Sequence, residues 1–376
     1  MKVSRPARDP RGMVSPWRLG ACLVSVLLLA SCAGQGSRVA READVRAVVA
    51  SALPPGTSDR AGWSADIASS FTELGLPPTR ENACAVVAVI QQESGFQVDP
   101  VIPGLGSLSL RTIDVRAAHA GLPLVVVHTA LELKSTDGRT YRARIEAAHT
   151  EKQLSDVYED FIGRVPLGSR LFASWNPIRT RGPMQVNVAF AEQFEAIKPY
   201  PQHDSRRDLR DELFTRRASI YFGVAHLLEY QPPYDRYLYR FADYNAGQYA
   251  SRNAAFQQAA AIVAGGPLTA DGALLAHDRS ARGAGSTERL LFGIAGRLGL
   301  SDADIHDALE QGTAATFEQT ALYRRVFELA DRKSRRRLPR AVLPRIRLEG
   351  PKIVRPLTTG WYAQRVNGRF ERCVRG

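Results

Sequence analysis

Apolar residues recur at helical spacing along most of the chain. Residues 80–93 carry them three or four positions apart, at Ala83, Val86, Val87 and Ile90. Thr79 precedes this run as a candidate N-cap, so the pattern predicts a helix that ends at Glu93. Similar patterns predict further helices at Asp44–Leu53, 139–165, Leu213–Leu228, Phe317–Leu329 and after a capping Ser301. The chain is therefore expected to be mainly α.

Two segments give a different signal. The run Leu122–Leu133 is largely apolar, and its periodicity does not decide between a strand and a helix. The tail, 333–376, is rich in Arg and Pro and contains Asn367-Gly368 between alternating residues. Because Asn-Gly favours the tight turn of a hairpin, this tail is expected to form a small, basic β appendage.

The N-terminus has the features of a secretory signal. Basic residues precede an apolar run, Leu19–Ala30, that is too short to span a bilayer in the mature protein. The run ends in Ala30-Ser31-Cys32, which resembles a lipobox. This predicts a signal peptide over 1–31, a lipidated Cys32 and a tether over 32–60. The alternative is an ordinary signal in which Cys32 occurs by chance. Ala33 after the Cys resembles an outer-membrane address, so the mature chain is expected to be lipid-anchored on the periplasmic face of that membrane.

Cleavage at this point would change the charge. The formal net charge is +12, and residues 1–31 carry five Lys or Arg and one acid, a net +4, so the mature chain is near +8. This excess is too dispersed to predict nucleic-acid binding. It suits an anionic partner such as the cell wall or lipid head groups, or equally a basic surface that favours solubility.

Two cysteines remain after the signal peptide and Cys32 are set aside. Cys84 lies on the apolar face of the predicted helix, and Cys373 lies near the C-terminus. In an oxidising compartment they either form one disulfide that closes a very long loop, or Cys84 is a buried thiol.

Three short segments carry groups that suit glycan cleavage. Glu93-Ser94 closes the predicted apolar helix, Gly182-Pro183-Met184-Gln185 forms a turn, and Tyr244-Asn245-Ala246-Gly247 follows a later helix. Burial at an apolar helix end raises the pKa of a carboxyl, and a carboxyl protonated near neutral pH can donate to a glycosidic oxygen. Amide and phenol groups can hold a sugar.

The order of these segments resembles lytic transglycosylases of the goose-lysozyme and soluble-transglycosylase type. The resemblance implies a lysozyme-like helical core, placed over 61–332, with Glu93 as the catalytic acid. It implies that the substrate is held by Ser94, Gly182, Met184, Gln185, Tyr244 and Asn245. The chain departs from the family at Pro183, where Leu is usual, and at Asp243, where Ala is usual. As a whole it also resembles an uncharacterised family of bacterial outer-membrane lipoproteins.

In lytic transglycosylases a single Glu acts first as acid and then as base. The C6 hydroxyl of the muramyl residue attacks the anomeric carbon of the same residue and leaves a 1,6-anhydro end. Peptidoglycan strands are thus the expected partner. A second carboxylate would make the protein a muramidase, and the candidates for it are Asp99, Asp243, Glu159 and Asp160. A third alternative is a lipoprotein that binds glycan without cleaving it. No metal or other cofactor is expected, since the seven His show no zinc-site spacing.

Residues 97–181 are interpreted as an insertion. Glu93 and Gly182 stand 89 positions apart, much farther than the same motifs do in most lytic transglycosylases. Both ends of the insertion lie at motif positions, so it is expected to border the cleft. Its arginines, with Arg179 and Arg181 nearest the turn, either meet the carboxylates of stem peptides or form a solvated surface.

Overall fold

The structure, a computed structural model, describes residues 43–164, 176–275, 285–348 and 355–376. Its helices and its one two-stranded sheet follow in chain order: α1 (43–52), α2 (Arg60–Leu74), α3 (Arg80–Glu93), α4 (Leu105–His119), α5 (Leu124–Leu131), α6 (Tyr141–Glu146), α7 (Glu151–Gly163), β1 (Thr180–Arg181), β2 (Val186–Asn187), α8 (Val188–Ile197), α9 (Leu209–Glu212), α10 (Arg216–Leu228), α11 (Tyr237–Ala246), α12 (Ala250–Ala264), α13 (Ser286–Phe292), α14 (Ala295–Leu298), α15 (Asp302–Glu310), α16 (Ala321–Ser334) and α17 (Thr359–Arg375). The fold is mainly α, as the sequence predicts.

The main hydrophobic core surrounds α3. Thr79 accepts a hydrogen bond from the backbone of Asn82 and begins the helix, whose residues from Ala83 to Ile90 are all buried. Around it pack α2, α10, α11 and α17, and the same core takes up Val45 and Val49 of α1. The predicted tether over 32–60 therefore contains a helix that belongs to the folded core, and its earlier residues lie outside the described ranges.

The predicted C-terminal β appendage is wrong. Residues Thr359–Arg375 form one helix, α17, which runs through Asn367-Gly368. Thr358 caps it, and Tyr362, Ala363 and Val366 are buried at helical spacing against the main core. A helical Gly costs about 1 kcal/mol, which the burial of these side chains outweighs, so packing overrides the local turn signal.

The insertion forms its own small core. The helix predicted over 139–165 is instead two helices: α6 ends at Glu146, and Thr150 begins α7 by accepting a hydrogen bond from the backbone of Gln153. The ambiguous apolar run becomes a helix, α5. Side chains from α4 to α7 pack together, among them Leu105, Leu131, Tyr141, Ile145, Leu154 and Val157.

A third core is built from α12 to α16. It contains the predicted helix after Ser301, whose side chain caps α15, and the predicted helix at Phe317–Leu329, which is observed as α16 after a short 3-10 turn at Ala315–Gln319. The helix predicted over Leu213–Leu228 begins at Arg216, after Thr215 as its cap.

A disulfide joins Cys84 of α3 to Cys373 of α17, with their Cα atoms 5.6 Å apart. Of the two alternatives for Cys84, the structure has the bonded one. The bond spans 289 positions and ties the C-terminal helix to the helix that ends at Glu93.

In the described ranges, none of the helices combines the length and the apolar character that crossing a bilayer requires. Cys32 and the predicted signal peptide lie outside those ranges.

Candidate active site

A cavity of 2130 Å³ lies where the three cores meet. Its wall takes residues from the insertion, from the main core around Glu93 and Tyr244, and from the third core around Leu274 and Gly312. Typical small-molecule pockets hold about 300–1,000 Å³, so this space suits an extended ligand better than a compact one.

Glu93 projects into this cavity from the end of α3. Burial raises the pKa of its carboxyl to about 7; a hydrogen bond from Tyr362 opposes this, and the negative charge of Glu151 adds to it. Glu93 is also the last residue of α3, and the unpaired carbonyl groups at a helix C-terminus disfavour a negative charge on its carboxyl. Glu93 thus holds a proton close to neutral pH and is placed to donate it.

Tyr362 holds the Glu93 carboxyl from behind. Its hydroxyl donates to Oε1 of Glu93, and its ring is buried in the main core. Because Oε1 of Glu93 accepts this hydrogen bond, a protonated Glu93 would carry its proton on Oε2. Sequence reasoning missed Tyr362, which lies 269 positions from Glu93 in the segment expected to be a β appendage.

The Gly-Pro-Met-Gln turn joins β1 to β2. Gly182 has φ +70, and a Cβ there would meet the Leu213 carbonyl oxygen at 2.1 Å, so the position needs glycine. This close approach is to the protein's own backbone, whereas the resemblance implied an approach to substrate. Gln185 also has positive φ, +52, a left-handed conformation that costs a residue other than Gly about 1 kcal/mol. Such strain often marks a functional position.

Gln185 lies on the cavity wall with both ends of its amide engaged. Oε1 accepts a hydrogen bond from the Thr180 hydroxyl at 2.7 Å, and Nε2 donates to Oε2 of Glu151 at 3.0 Å. Met184 was expected to contact substrate, but it does not line the cavity. Its side chain is fully buried against Gly223, and its backbone supports the wall instead.

Tyr244 and Asn245 end α11 at the cavity. The Tyr244 hydroxyl donates to the Met184 carbonyl at 2.7 Å, which joins α11 to the turn. Burial and then the nearby charge of Glu93 raise the pKa of Tyr244, so its hydroxyl stays protonated beside the acid. Asn245 is exposed on the wall, and its Oδ1 accepts a hydrogen bond from the Thr359 hydroxyl at 2.7 Å.

The structure thus brings four of the predicted site residues to one wall: Glu93, Gln185, Tyr244 and Asn245. It does not place Ser94, Gly182 or Met184 among the described residues that line the cavity. Ser94 caps the end of α3, and its hydroxyl donates to the Ile90 carbonyl at 3.2 Å. These three shape the wall from behind.

His226 is a further cavity residue that the sequence did not single out. It stacks on Phe190 at 4.3 Å between ring centres, and its ring lies 5.0 Å from that of Tyr244. Burial lowers its pKa to about 4, so it is neutral at physiological pH. Both His226 and Phe190 line the cavity, next to the polar groups of the turn.

None of the four carboxylates proposed from the sequence as a second acid belongs to the cavity wall. Asp243 is buried and accepts hydrogen bonds from Tyr230, Tyr234 and the Ser251 backbone, and its pKa is raised chiefly by burial. It pins α11 to the start of α12, which gives a structural reason for an acid before Tyr244.

The other three are placed elsewhere. Asp99 is exposed, Glu159 accepts a hydrogen bond from Asn176, and Asp160 pairs with Arg144. The carboxyl that does face the cavity near Glu93 is Glu151, the first residue of α7.

The two arginines nearest the turn have different environments. Arg179 is exposed on the cavity wall. Arg181 is fully buried, donates to the Arg210 carbonyl at 2.5 Å, and lies 4.9 Å over the Phe214 ring. Arg181 therefore supports the fold, and only Arg179 remains available to an entering ligand.

Metal binding has no site among the described residues, where no group of three or more His, Cys, Asp or Glu side chains is arranged to hold an ion.

Comparisons with known proteins match most of the chain. A family model described as "Protein of unknown function (DUF1615)" matches residues 56–375. The chain belongs to this family. A relative, "Uncharacterized protein YaiW" of Escherichia coli (strain K12), is 45% identical over 357 residues, which cover 94% of this chain and 97% of that protein. No solved structure matches the DUF1615 chain.

The region that matches the family begins between α1 and α2 and ends within α17. The matched region therefore includes the insertion, the second and third cores, the main core apart from its α1 residues, and the helix that carries Tyr362. The geometry at Glu93 belongs to the whole of this region, since residues from near both of its ends meet there.

Proposed function

We propose that this DUF1615 protein is a membrane-anchored murein lytic transglycosylase that cleaves the MurNAc–GlcNAc bond of peptidoglycan and leaves a 1,6-anhydro end. The observation that carries the proposal is Glu93. It is a carboxyl with a pKa near 7, held by Tyr362, on a wall shared with Gln185, Tyr244 and Asn245. That arrangement is what donation of a proton to a glycosidic oxygen requires.

In the proposed reaction Glu93 protonates the departing glycosidic oxygen, and the bond from that oxygen to the anomeric carbon breaks. The C6 hydroxyl of the same muramyl residue then attacks the anomeric carbon and gives its proton to the Glu93 carboxylate. Atoms and protons balance without water. Tyr362 holds the acid in place, and Phe190 and His226 on the cavity wall offer aromatic contacts for a sugar ring.

The substrate class follows from the resemblance together with the size of the cavity, which suits a strand. The anchor follows from the Ala30-Ser31-Cys32 sequence, and the proposed location is the periplasmic face of the outer membrane. Several buried acyl chains contribute about 0.8 kcal/mol for each CH₂, enough for stable anchoring.

Digestion of purified murein sacculi tests the proposal. We expect anhydro-ended fragments from the wild type and none from Glu93→Gln, with glycan binding retained in the variant. Turnover in the variant within a few-fold of wild type would remove Glu93 from the mechanism. Glycan binding by the wild type without any products would indicate a binding protein instead.

The anchor is tested separately. Cys32→Ala is expected to yield a chain that takes up no palmitate label and fractionates away from the outer membrane. A variant that is still labelled and still found in the membrane pellet would contradict the lipoprotein assignment.

A further inference from the structure

Glu151 is a second carboxyl on the wall that carries Glu93, and the two occupy opposite electrostatic positions. Glu93 is the last residue of α3, where unpaired carbonyls make the surroundings negative. Glu151 is the first residue of α7, a 13-residue helix, where free amide groups make them positive. A proton therefore suits Glu93, and a negative charge suits Glu151.

Gln185 supplies Glu151 with a hydrogen-bond donor. Its Nε2 lies 3.4 Å from the Gly182 carbonyl oxygen, which can only accept, so the NH₂ group is on this side, and it donates to Oε2 of Glu151 at 3.0 Å. An amide N–H needs an acceptor, so this oxygen carries no proton. The left-handed backbone of Gln185 is the strain that places this donor.

The other carboxyls on the described part of the wall belong to its far end, in the third core. Asp271 accepts hydrogen bonds from Gln257 and from the Ala273 backbone, and Glu310 lies 3.7 Å from His306. Neither affects the pKa of Glu93, whereas the charge of Glu151 does. Glu93 and Glu151 are thus the pair that shares one reaction space.

We infer that Glu151 is the general base of a hydrolytic branch, so that the protein releases reducing ends as well as anhydro ends. This inference rests on the proposed function, because it needs Glu93 to protonate the departing oxygen. The bond from that oxygen to the anomeric carbon breaks, and a water oxygen bonds to the carbon. The proton that the water loses goes to the Glu151 carboxylate. Both carboxyls then exchange protons with solvent and return to their starting states.

Product analysis of the full mature protein on sacculi tests the inference. Borohydride reduction followed by mass spectrometry separates reducing from anhydro ends. For Glu151→Gln we expect reducing ends to fall at least about 100-fold while anhydro ends stay within about threefold of wild type, because only the water branch loses its base. The alkaline limb of anhydro formation should also move to lower pH, since Glu93 loses a negative neighbour. Tyr362 and Tyr244, which also face Glu93, are unchanged.

Asp156→Asn is the matched control. Asp156 lies on the same helix and pairs with Lys152 in solvent, away from the cavity wall, so both products should be unaffected. If Glu151→Gln folds poorly, Glu151→Asp carries the test, because it keeps the charge but withdraws the base, and reducing ends should still fall.

The outcomes separate the two proposals. A wild type that yields only anhydro ends overturns the inference and leaves the proposed function standing. Equal loss of both products in a folded Glu151→Gln overturns it as well. A wild type that yields no product overturns both.

Discussion

Replacing Glu93 with Gln is expected to make the folded protein more stable at alkaline pH. The wild-type carboxyl keeps its proton to about pH 7 in the fold, against an ordinary pKa of 4.5. The unfolded chain therefore loses this proton first. Stability falls as the pH rises through the window between the two values, by about 3 kcal/mol in total. Gln is neutral throughout, and its amide oxygen can still accept the hydrogen bond from Tyr362.

Urea unfolding of both proteins at pH 5 and pH 8 measures the effect. The variant should match the wild type within about 1 kcal/mol at pH 5 and exceed it by at least about 2 kcal/mol at pH 8. All other titrating groups are common to the two proteins and cancel in the comparison. A difference that is the same at both pH values would mean that the fold does not raise the pKa of Glu93, and the acid role would lose its physical basis.

Three further variants test individual contacts. Tyr362→Phe removes a hydrogen bond that lowers the pKa of Glu93, so the alkaline limb of the activity profile should move to higher pH; an unmoved limb would exclude this coupling. Cys373→Ser should lower the free energy of unfolding by about 2–4 kcal/mol in urea titrations, and reductant should then have no added effect on the variant. Arg179→Ala should weaken cleavage of peptide-bearing murein more than of bare glycan. Arg181→Ala should instead lower the free energy of unfolding by at least about 1 kcal/mol, because Arg181 is buried. The reverse pattern would contradict the assignment of Arg181 to the fold and of Arg179 to ligand contact.

The helix that presents Glu93 was predictable because its signals are local: a capping Thr79 and apolar residues at fixed spacing. The C-terminal helix was not, since Asn367-Gly368 is a local turn signal and the burial that overrides it comes from distant residues. Local signals decide an element only where no tertiary contact outweighs them.

The same contrast applies to the site. The three motifs predicted that Gln185 and Tyr244 would stand near the acid, and they do. They did not predict Tyr362 or Glu151, because nothing in the spacing of those residues indicates which distant segment folds against the cavity. Met184 shows the opposite error. It lies within a motif, yet it faces Gly223 in the interior.

The hydrogen bond between Tyr362 and Glu93 affects the order in which the protein assembles during synthesis and folding. Glu93 is made 269 positions before its hydrogen-bonding partner Tyr362 during translation. A chain still being synthesised or exported holds Glu93 without the helix that positions it. The site around Glu93 is therefore completed only after α17 has been made and has been locked to α3 by the disulfide between Cys84 and Cys373. For the transglycosylase activity proposed above, this order of assembly would protect the cell wall, since incomplete chains carry no finished centre.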